Sequence, residues 1–153
     1  MSELFLILVV AGQRVALQAS KVESVVELDG LTPVPGVPAH IAGLAALRSR
    51  VLTVVDPYAS LGCARPDGAV HEAVVIEKDG HPYALLVDAV HDVVEASGDL
   101  LPVQTALAPA WARLSAGLVE IDGQVMILVD VGAVLSGATE TTPVVSALST
   151  IAA

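Results

Sequence analysis

The stretch AGLAALRSRVLTVVDPYASL, residues 42–61, occurs a second time in altered form as AGLVEIDGQVMILVDVGAVL, residues 116–135. The two stretches are offset by 74 residues and are identical at eight of twenty positions. A second pair of segments, VALQASKVESVVE (residues 15–27) and YALLVDAVHDVVE (residues 83–95), is offset by 68 residues and is identical at six positions. Two matching blocks in the same order, at nearly the same offset, indicate that the chain contains two copies of one unit.

Each copy is composed mainly of short segments with the β-branched, alternating composition of strands. In the second copy Asp79-Gly80 separates two such segments, and this dipeptide is the strongest short signal for a hairpin. Near the end of each repeated stretch an aspartate, Asp56 or Asp130, follows a strand and precedes a short apolar segment that ends at a glycine. This pattern predicts two helix N-caps rather than a catalytic pair of acids.

Five short strands in a unit of about 65 residues predict a small closed barrel, because closure leaves no exposed sheet edge. We therefore expect one barrel in residues 1–65 and a second in residues 70–137, together forming a single domain of residues 1–137. Residues 138–153 are expected to be a C-terminal tail. Trp111 lies in an insertion of the second copy and is expected to anchor the core.

The composition excludes several classes of protein. The formal net charge is −10, with 17 acidic and 7 basic residues, so the chain lacks the basic surface that nucleic acids and anionic membranes require. No apolar run approaches the ~18 residues of a membrane span. The N-terminal MSELF carries an acid where a secretory signal would be basic, and Cys63 is the only cysteine. These features predict a cytoplasmic protein that is not membrane-inserted, and the 54% hydrophobic content favours apolar contacts with protein partners.

Two arginines, Arg48 and Arg50, lie in the middle of the first repeated stretch, where the second copy has the turn sequence Asp122-Gly123. The arginines are therefore expected at the rim of a barrel. They are either solubilising turn residues or, for Arg48, the partner of a carboxylate on the preceding strand, Glu27. A phosphate site is not expected, because no glycine-rich loop leads into a helix there.

Three ordered segments, VESVVELDG, TPVPGVPAHIAGLAALRSRVLTVVDPYASLG and YALLVDAVHDVVE, resemble the CheW family of bacterial chemotaxis coupling proteins over about residues 4–136. The family pattern includes Asn-Leu-Arg-Gly, then Pro-Val and Asp-Leu. This chain retains Leu47, Arg48 and Asp56, and it departs from the pattern at Ala46, Ser49, Thr53 and Pro57. If the turn requires a positive φ at Ser49, the missing glycine costs on the order of 1 kcal/mol.

The resemblance implies a mainly β fold of two five-stranded, SH3-like barrels with short helices, and no catalysis. It further implies a non-enzymatic adaptor that couples the signalling tip of methyl-accepting chemoreceptors to the regulatory domain of a chemotaxis histidine kinase, at membrane-associated receptor arrays. In this family a Glu in the position of Glu27 pairs with the motif arginine, Arg48. The receptor contact is expected on the first barrel, at Val22, Val26, Glu27, Leu44, Ala46 and Arg48, and the kinase contact on the second.

Two alternatives remain open. One is a sensor that binds a small ligand in an apolar groove between the barrels. The other is a structural array component that binds receptor but not kinase, which the replacements at Ala46 and Ser49 make conceivable. An enzyme, a metal and a cofactor are not expected, because the four histidines and Cys63 have neither metal-ligand nor nucleophile spacing.

Overall fold

The computed structural model describes residues 2–65, 71–101 and 108–137, and the expected C-terminal tail, 138–153, lies outside the described residues. The described chain contains ten strands: β1 Glu3–Val10, β2 Gln13–Gln18, β3 Val22–Leu28, β4 Ile41–Leu47, β5 Arg50–Val55, β6 His71–Lys78, β7 His81–Val87, β8 Ala89–Ala96, β9 Ser115–Ile121 and β10 Gln124–Val129. It also contains three short helices, α1 Pro57–Leu61, α2 Pro109–Leu114 and α3 Val131–Ser136, and a 3-10 turn at Ala19–Lys21. Within the described ranges no helix has the length and apolar character to cross a bilayer.

The strands form two five-stranded sheets. The first, here called barrel A, has the order β8-β1-β2-β10-β9, and the second, barrel B, has the order β3-β6-β7-β5-β4. In barrel A the two outer strands, β8 and β9, come into contact, and the sheet curls accordingly. The expected mainly β architecture of two five-stranded, SH3-like barrels with short helices is confirmed.

The chain is divided between the barrels in a way that the repeat did not predict. Barrel A combines β1 and β2 of the first copy with β8, β9 and β10 of the second, and barrel B combines the complementary strands. The hairpin that opens each copy therefore completes the barrel of the other copy. The expectation of one barrel in residues 1–65 and one in 70–137 is wrong, because a repeat shows that two units are alike without showing which strands pair.

Each exchanged hairpin joins its host barrel through an equivalent parallel pair. Strand β2 lies beside β10 with Ala16 next to Leu128, and β5 lies beside β7 with Val54 next to Ala84. The remaining strand pairs in the described sheets are antiparallel. Because parallel strands cannot be joined by a tight turn, each parallel seam brings together strands that are distant along the chain.

The hairpin turns explain why the strands are short and regular. Gly12, Gly80 and Gly123 are each the second residue of a two-residue turn in which both residues have positive φ. Turns with this backbone twist match the twist of the flanking strands, and a glycine accepts the positive φ without strain. The fourth hairpin, between β4 and β5, differs and belongs to the candidate site described below.

Asp56 and Asp130 are the N-caps of the two equivalent helices, α1 and α3, as their sequence context predicts. The Asp56 carboxylate accepts hydrogen bonds from the backbone N–H groups of Tyr58 and Ala59, at 2.9 and 3.3 Å. The Asp130 carboxylate accepts one from the N–H of Ala133, at 3.1 Å. Both helices end at a left-handed glycine. The recurring acids thus satisfy the free N–H groups of helix starts.

The larger of two hydrophobic clusters runs through both barrels. It joins Leu8 and Val15 of barrel A to Leu52 of barrel B, and Trp111 of α2 packs against it, half-buried. A smaller cluster that includes Phe5 lies within barrel A. Because the apolar core continues from one barrel into the other, the two barrels form one packed unit.

A polar contact also joins the barrels. Asp88, directly after β7, accepts hydrogen bonds from the backbone N–H groups of Ala11 and Gly12 in the β1–β2 turn, at 3.2 and 2.9 Å. It also accepts a hydrogen bond from the hydroxyl of Tyr58, which is buried in α1. Burial, together with the Asp88 carboxylate, raises the pKa of Tyr58 above its usual range.

We expect Tyr58→Phe to cost about 1.5–3 kcal/mol of unfolding free energy at neutral pH, because the hydroxyl loses its bond to the Asp88 carboxylate. Since the folded-state pKa lies above the ordinary value of 10.0, this contribution is complete below that pH and is lost as the pH rises beyond it. The wild type should therefore lose about 1.4 kcal/mol per pH unit more than the variant in the alkaline range. Urea unfolding of both proteins between neutral and alkaline pH measures this, and parallel curves would contradict it.

Candidate functional site

The six residues expected to contact a partner all lie on barrel B, on β3, β4 or the turn after β4. Four of them are exposed: Glu27, Leu44, Ala46 and Arg48. The other two, Val22 and Val26, are half-buried and pack against the larger core cluster. The structure thus offers the four exposed side chains to a partner, while the two valines also hold β3 on the core.

An apolar strip follows the outer face of β4 and β5. Leu44 and Ala46 alternate outward along β4, and they stand opposite Thr53 and Val51 of β5. Val51 is 60% exposed and Leu44 is 37% exposed. The Thr53 hydroxyl lies 3.5 Å from Nε2 of His81 on the neighbouring strand. These four residues, called the apolar strip below, carry no charge and face solvent.

The two barrels expose valines at equivalent positions of the repeat. Val51 on barrel B corresponds to Val125 on barrel A, and their exposed fractions are 60% and 56%. Val25 corresponds to Val93 in the same way, at 41% and 50%. Exposed apolar side chains grouped on a face mark interaction surfaces more often than isolated ones. Each barrel therefore exposes two valines on its outer face, at equivalent positions of the repeat.

A groove lies where the end of β3 separates from the edge of β4. It has a volume of about 350 Å³ and is lined by Glu27, Leu28, Asp29, Gly30, Ala46 and Leu47. Two of the predicted contact residues, Glu27 and Ala46, thus line the same depression. We call this feature the edge groove.

The turn between β4 and β5 departs from the other three hairpins. Its positive φ, +58°, is at Arg48, whereas Ser49 does not adopt a positive φ. The strain expected if Ser49 had a positive φ therefore falls on Arg48, where a left-handed conformation costs an L-residue about 1–2 kcal/mol. Ala11, Asp79 and Asp122 have the same positive φ at the first position of the other three turns, so the backbone of Arg48 is not exceptional, and the turn leaves its side chain exposed.

The expected ion pair between Arg48 and Glu27 is not formed. Among the described residues Arg50 makes the pair instead, with its Nη1 atom 2.5 Å from Oε2 of Glu23. The hydrogen bond from Arg50 lowers the pKa of Glu23, and Glu23 in turn raises the pKa of Arg50. Both side chains are exposed, so the pair shapes the barrel rim more than it stabilises the fold.

The strand register explains this choice of partner. Val22 at the start of β3 lies opposite Ile76, Ile76 lies opposite Tyr83, and Tyr83 lies beside Thr53 of β5. The starts of β3 and β5 are therefore at the same end of barrel B. Sequence reasoning missed the pair because Glu23 and Glu27 both point outward from β3, and only the register distinguishes them.

Comparison with known proteins gives a consistent answer. Residues 4–139 match the family model of the CheW-like domain. The chain belongs to the CheW family. It is 32% identical over 105 residues to the chemotaxis protein CheW of Rhizobium meliloti strain 1021, covering 67% of this chain and 68% of that protein. It is 27% identical to the chemotaxis protein CheW of Thermotoga maritima over 123 residues, or 80% and 81% of the two chains.

A solved structure of the CheW family has the same fold. The crystal structure of the scaffolding protein TtCheW from Thermoanaerobacter tengcongensis superposes with a TM-score of 0.73 at 22% identity, covering 85% of this chain and 90% of that one. The resemblance stated from the sequence is therefore confirmed. As a CheW-family member, the chain is an adaptor of chemotaxis signalling that couples chemoreceptors to a histidine kinase.

The space between the barrels does not favour the sensor alternative for this CheW-family chain. The cavity there has a volume of about 10 Å³, and its walls are apolar side chains that include Leu8, Leu85, Trp111 and Val134. A ligand pocket ordinarily measures ~300–1,000 Å³. This cavity has room for about one water molecule and not for a ligand.

The remaining reactive side chains are dispersed in this CheW-family structure. In residues 2–65, 71–101 and 108–137, no group of three His, Cys, Asp or Glu side chains is placed to hold a metal ion. Cys63 is exposed, and its thiol lies 3.8 Å from the carbonyl oxygen of Leu61. Burial lowers the pKa of His40, whose ring packs against Gly137 at the end of α3.

Proposed function

We propose that barrel B contacts the signalling tip of a methyl-accepting chemoreceptor and that barrel A contacts the regulatory domain of the histidine kinase. The observation that carries this proposal is the set of exposed valines on the outer face of each barrel, which occupy equivalent positions on two barrels sharing one core. Because the faces lie on different barrels, one chain can hold two partners at the same time, as an adaptor must.

On barrel B, the receptor contact is formed by the apolar strip and by the exposed residues beside it, Glu27 and Arg48. Leu44 and Ala46 supply uncharged surface for the helices of a receptor tip. Arg48 adds a cation that meets no carboxylate of its own chain among the described residues. Such a cation can pair with an acidic side chain of the partner and so fix the register of the contact.

This function places the chain in the cytoplasm, recruited to chemoreceptor arrays at the membrane. The chain's own contribution to that placement is protein contact, because its charge of −10 opposes binding to anionic lipid.

The two contacts are expected to separate in binding measurements. Leu44→Asp should weaken binding to a receptor tip fragment by about tenfold or more and leave binding to the kinase regulatory domain unchanged, because it puts a charge into one apolar face only. Val125→Asp should weaken binding to the kinase regulatory domain and leave binding to the receptor tip fragment unchanged. Arg48→Gly relieves the strained φ, so it should weaken receptor binding without lowering the melting temperature. Calorimetric titration with both partners measures all three.

Val51→Asp and Val125→Asp form the matched control, since they place the same charge at equivalent positions with similar exposure. Loss of both partners in either single variant, with the fold intact, would contradict two separate faces. The departures from the family motif at Ala46 and Ser49 favour one second candidate, a structural component that binds receptor but not kinase. A wild-type chain that binds the receptor tip and fails to bind the kinase domain would support that candidate instead.

A further inference from the structure

The edge of β4 leaves one backbone position free, and it faces the edge groove. Leu44 exchanges two backbone hydrogen bonds with Thr32, of 2.8 and 2.9 Å, on the side of β4 away from β5. In an antiparallel ladder the direction of the N–H and C=O groups repeats every second residue. The N–H and C=O of Ala46 therefore also point away from β5, and within the described residues they meet no partner.

The chain before Thr32 does not continue this pairing with β4. An antiparallel bridge continued from Thr32 and Leu44 would place Gly30 opposite Ala46. Instead, residues 27–30 form the opposite wall of the edge groove, about 350 Å³ in volume, so the space beside Ala46 is open. A free donor and acceptor at a sheet edge is the usual receptor for an added strand.

The walls of the edge groove define the charge of the occupant. Glu27 and Asp29 are exposed, line the groove, and form no ion pair or side-chain hydrogen bond in the described part of the chain. The remaining lining consists of Leu28, Gly30, Ala46 and Leu47, so the groove has no cation of its own.

Barrel A differs from barrel B at the equivalent edge. There the equivalent bridge joins Leu101 and Leu118, and the outer strands β8 and β9 approach each other more closely than β3 and β4 do. The residue equivalent to Ala46 is Glu120, and the residue equivalent to Glu27 is Glu95, whose carboxylate accepts a hydrogen bond from Ser2.

We infer that the edge groove binds an extended segment of a partner protein that carries a lysine or an arginine. The segment pairs with the N–H and C=O of Ala46 as a short added strand, and its cationic side chain lies between Glu27 and Asp29. This inference shares Glu27 and Ala46 with the proposed receptor contact but does not rest on it, because the added strand pairs with the backbone edge of β4 and the receptor contacts its outer face.

The probe is a capped pentapeptide, Val-Thr-Lys-Val-Thr, and its control is the same peptide with Glu in place of Lys. In a titration followed by amide NMR shifts of the full chain, the Lys peptide should shift Ala46 and Gly30 and bind at least tenfold more tightly than the Glu peptide. Asp29→Asn should weaken the Lys peptide severalfold. Ala46→Pro should abolish binding, because it removes the outward N–H without touching the β4–β5 ladder, whereas Ala46→Val should retain it.

Three results would overturn the inference. These are equal binding of the Lys and Glu peptides, shifts that map away from the edge groove, and an equal response to n-butylammonium alone, which would mean that charge suffices without a strand. The Leu44→Asp variant separates this site from the proposed receptor contact. Peptide binding should survive in that variant even where receptor binding is lost.

Discussion

Replacing Gly43 with alanine is expected to destabilise the protein by about 2–4 kcal/mol, the sum of backbone strain and lost hydrogen bonds. Gly43 has a φ of +148°, and a Cβ atom built there would lie 2.4 Å from the carbonyl oxygen of Thr32. That oxygen accepts the N–H of Leu44, so relief of the clash breaks the bridge that holds the β3–β4 segment on β4. Because the obstacle is backbone, it cannot move aside as the end of a side chain would. Chemical denaturation gives the free-energy change directly.

Two further glycines serve as controls for Gly43. A Cβ atom at Gly30 would meet nothing within 4 Å, so Gly30→Ala should stay within about 0.5 kcal/mol of the wild type. Gly117 is the equivalent of Gly43 in the second copy and has a φ of +144°, but its nearest obstacle is the flexible side chain of Leu100, at 3.2 Å. The loss of stability in Gly117→Ala should therefore be smaller than in Gly43→Ala and larger than in Gly30→Ala. Equal stability of Gly43→Ala and Gly30→Ala would show that the Thr32 contact does not constrain the fold.

Cutting the chain between its two copies should abolish folding of either half and allow the halves to fold together. In a fragment of residues 1–65, β1 and β2 lose β8 and β10, while β3 and β5 lose β6 and β7. What remains is a pair of two-stranded hairpins with β3 unpaired, and isolated hairpins are at best marginally stable in water. Circular dichroism should thus show the fragments 1–65 and 66–153 to be disordered alone, and native-like when mixed in equal amounts.

The control for the fragment experiment is the intact chain with a protease site inserted in residues 66–70 and cut after folding. The cut chain should elute as one species, with the spectrum of the uncut protein, because every seam between the copies is non-covalent pairing within a sheet. If residues 1–65 alone gave a cooperative unfolding transition, the exchange of hairpins between the copies would be refuted.

Much of the fold follows from local sequence chemistry. Asp-Gly pairs place hairpin turns, and an aspartate followed by a short apolar segment and a glycine places each helix, since both signals act within a few residues. The repeat adds that the two halves are alike. The exchange of hairpins could not be predicted from the sequence. The parallel strand pairs β2–β10 and β5–β7 depend on contacts between distant residues, which a repeat leaves undetermined.

The candidate site could also be predicted only in part from the sequence. The sequence placed Leu44, Ala46 and Arg48 on an exposed hairpin, and the structure locates them on the outer face and tip of that hairpin. The choice of Glu27 as an ion-pair partner failed because alternation along a strand gives the face of a residue and not its position relative to other strands. The edge groove had no sequence signal, since it arises where residues 27–30 leave the edge of β4.

The exchanged hairpins also govern how force would pass through the molecule. Two domains joined by one flexible linker transmit tension only through that linker, and each domain can rotate freely. Here the chain crosses between the barrels twice, from β2 to β3 and from β7 to β8, and the larger hydrophobic cluster packs the two barrels against each other. A displacement imposed on the outer face of one barrel is therefore transmitted to the other barrel, because the two barrels move together as one rigid body.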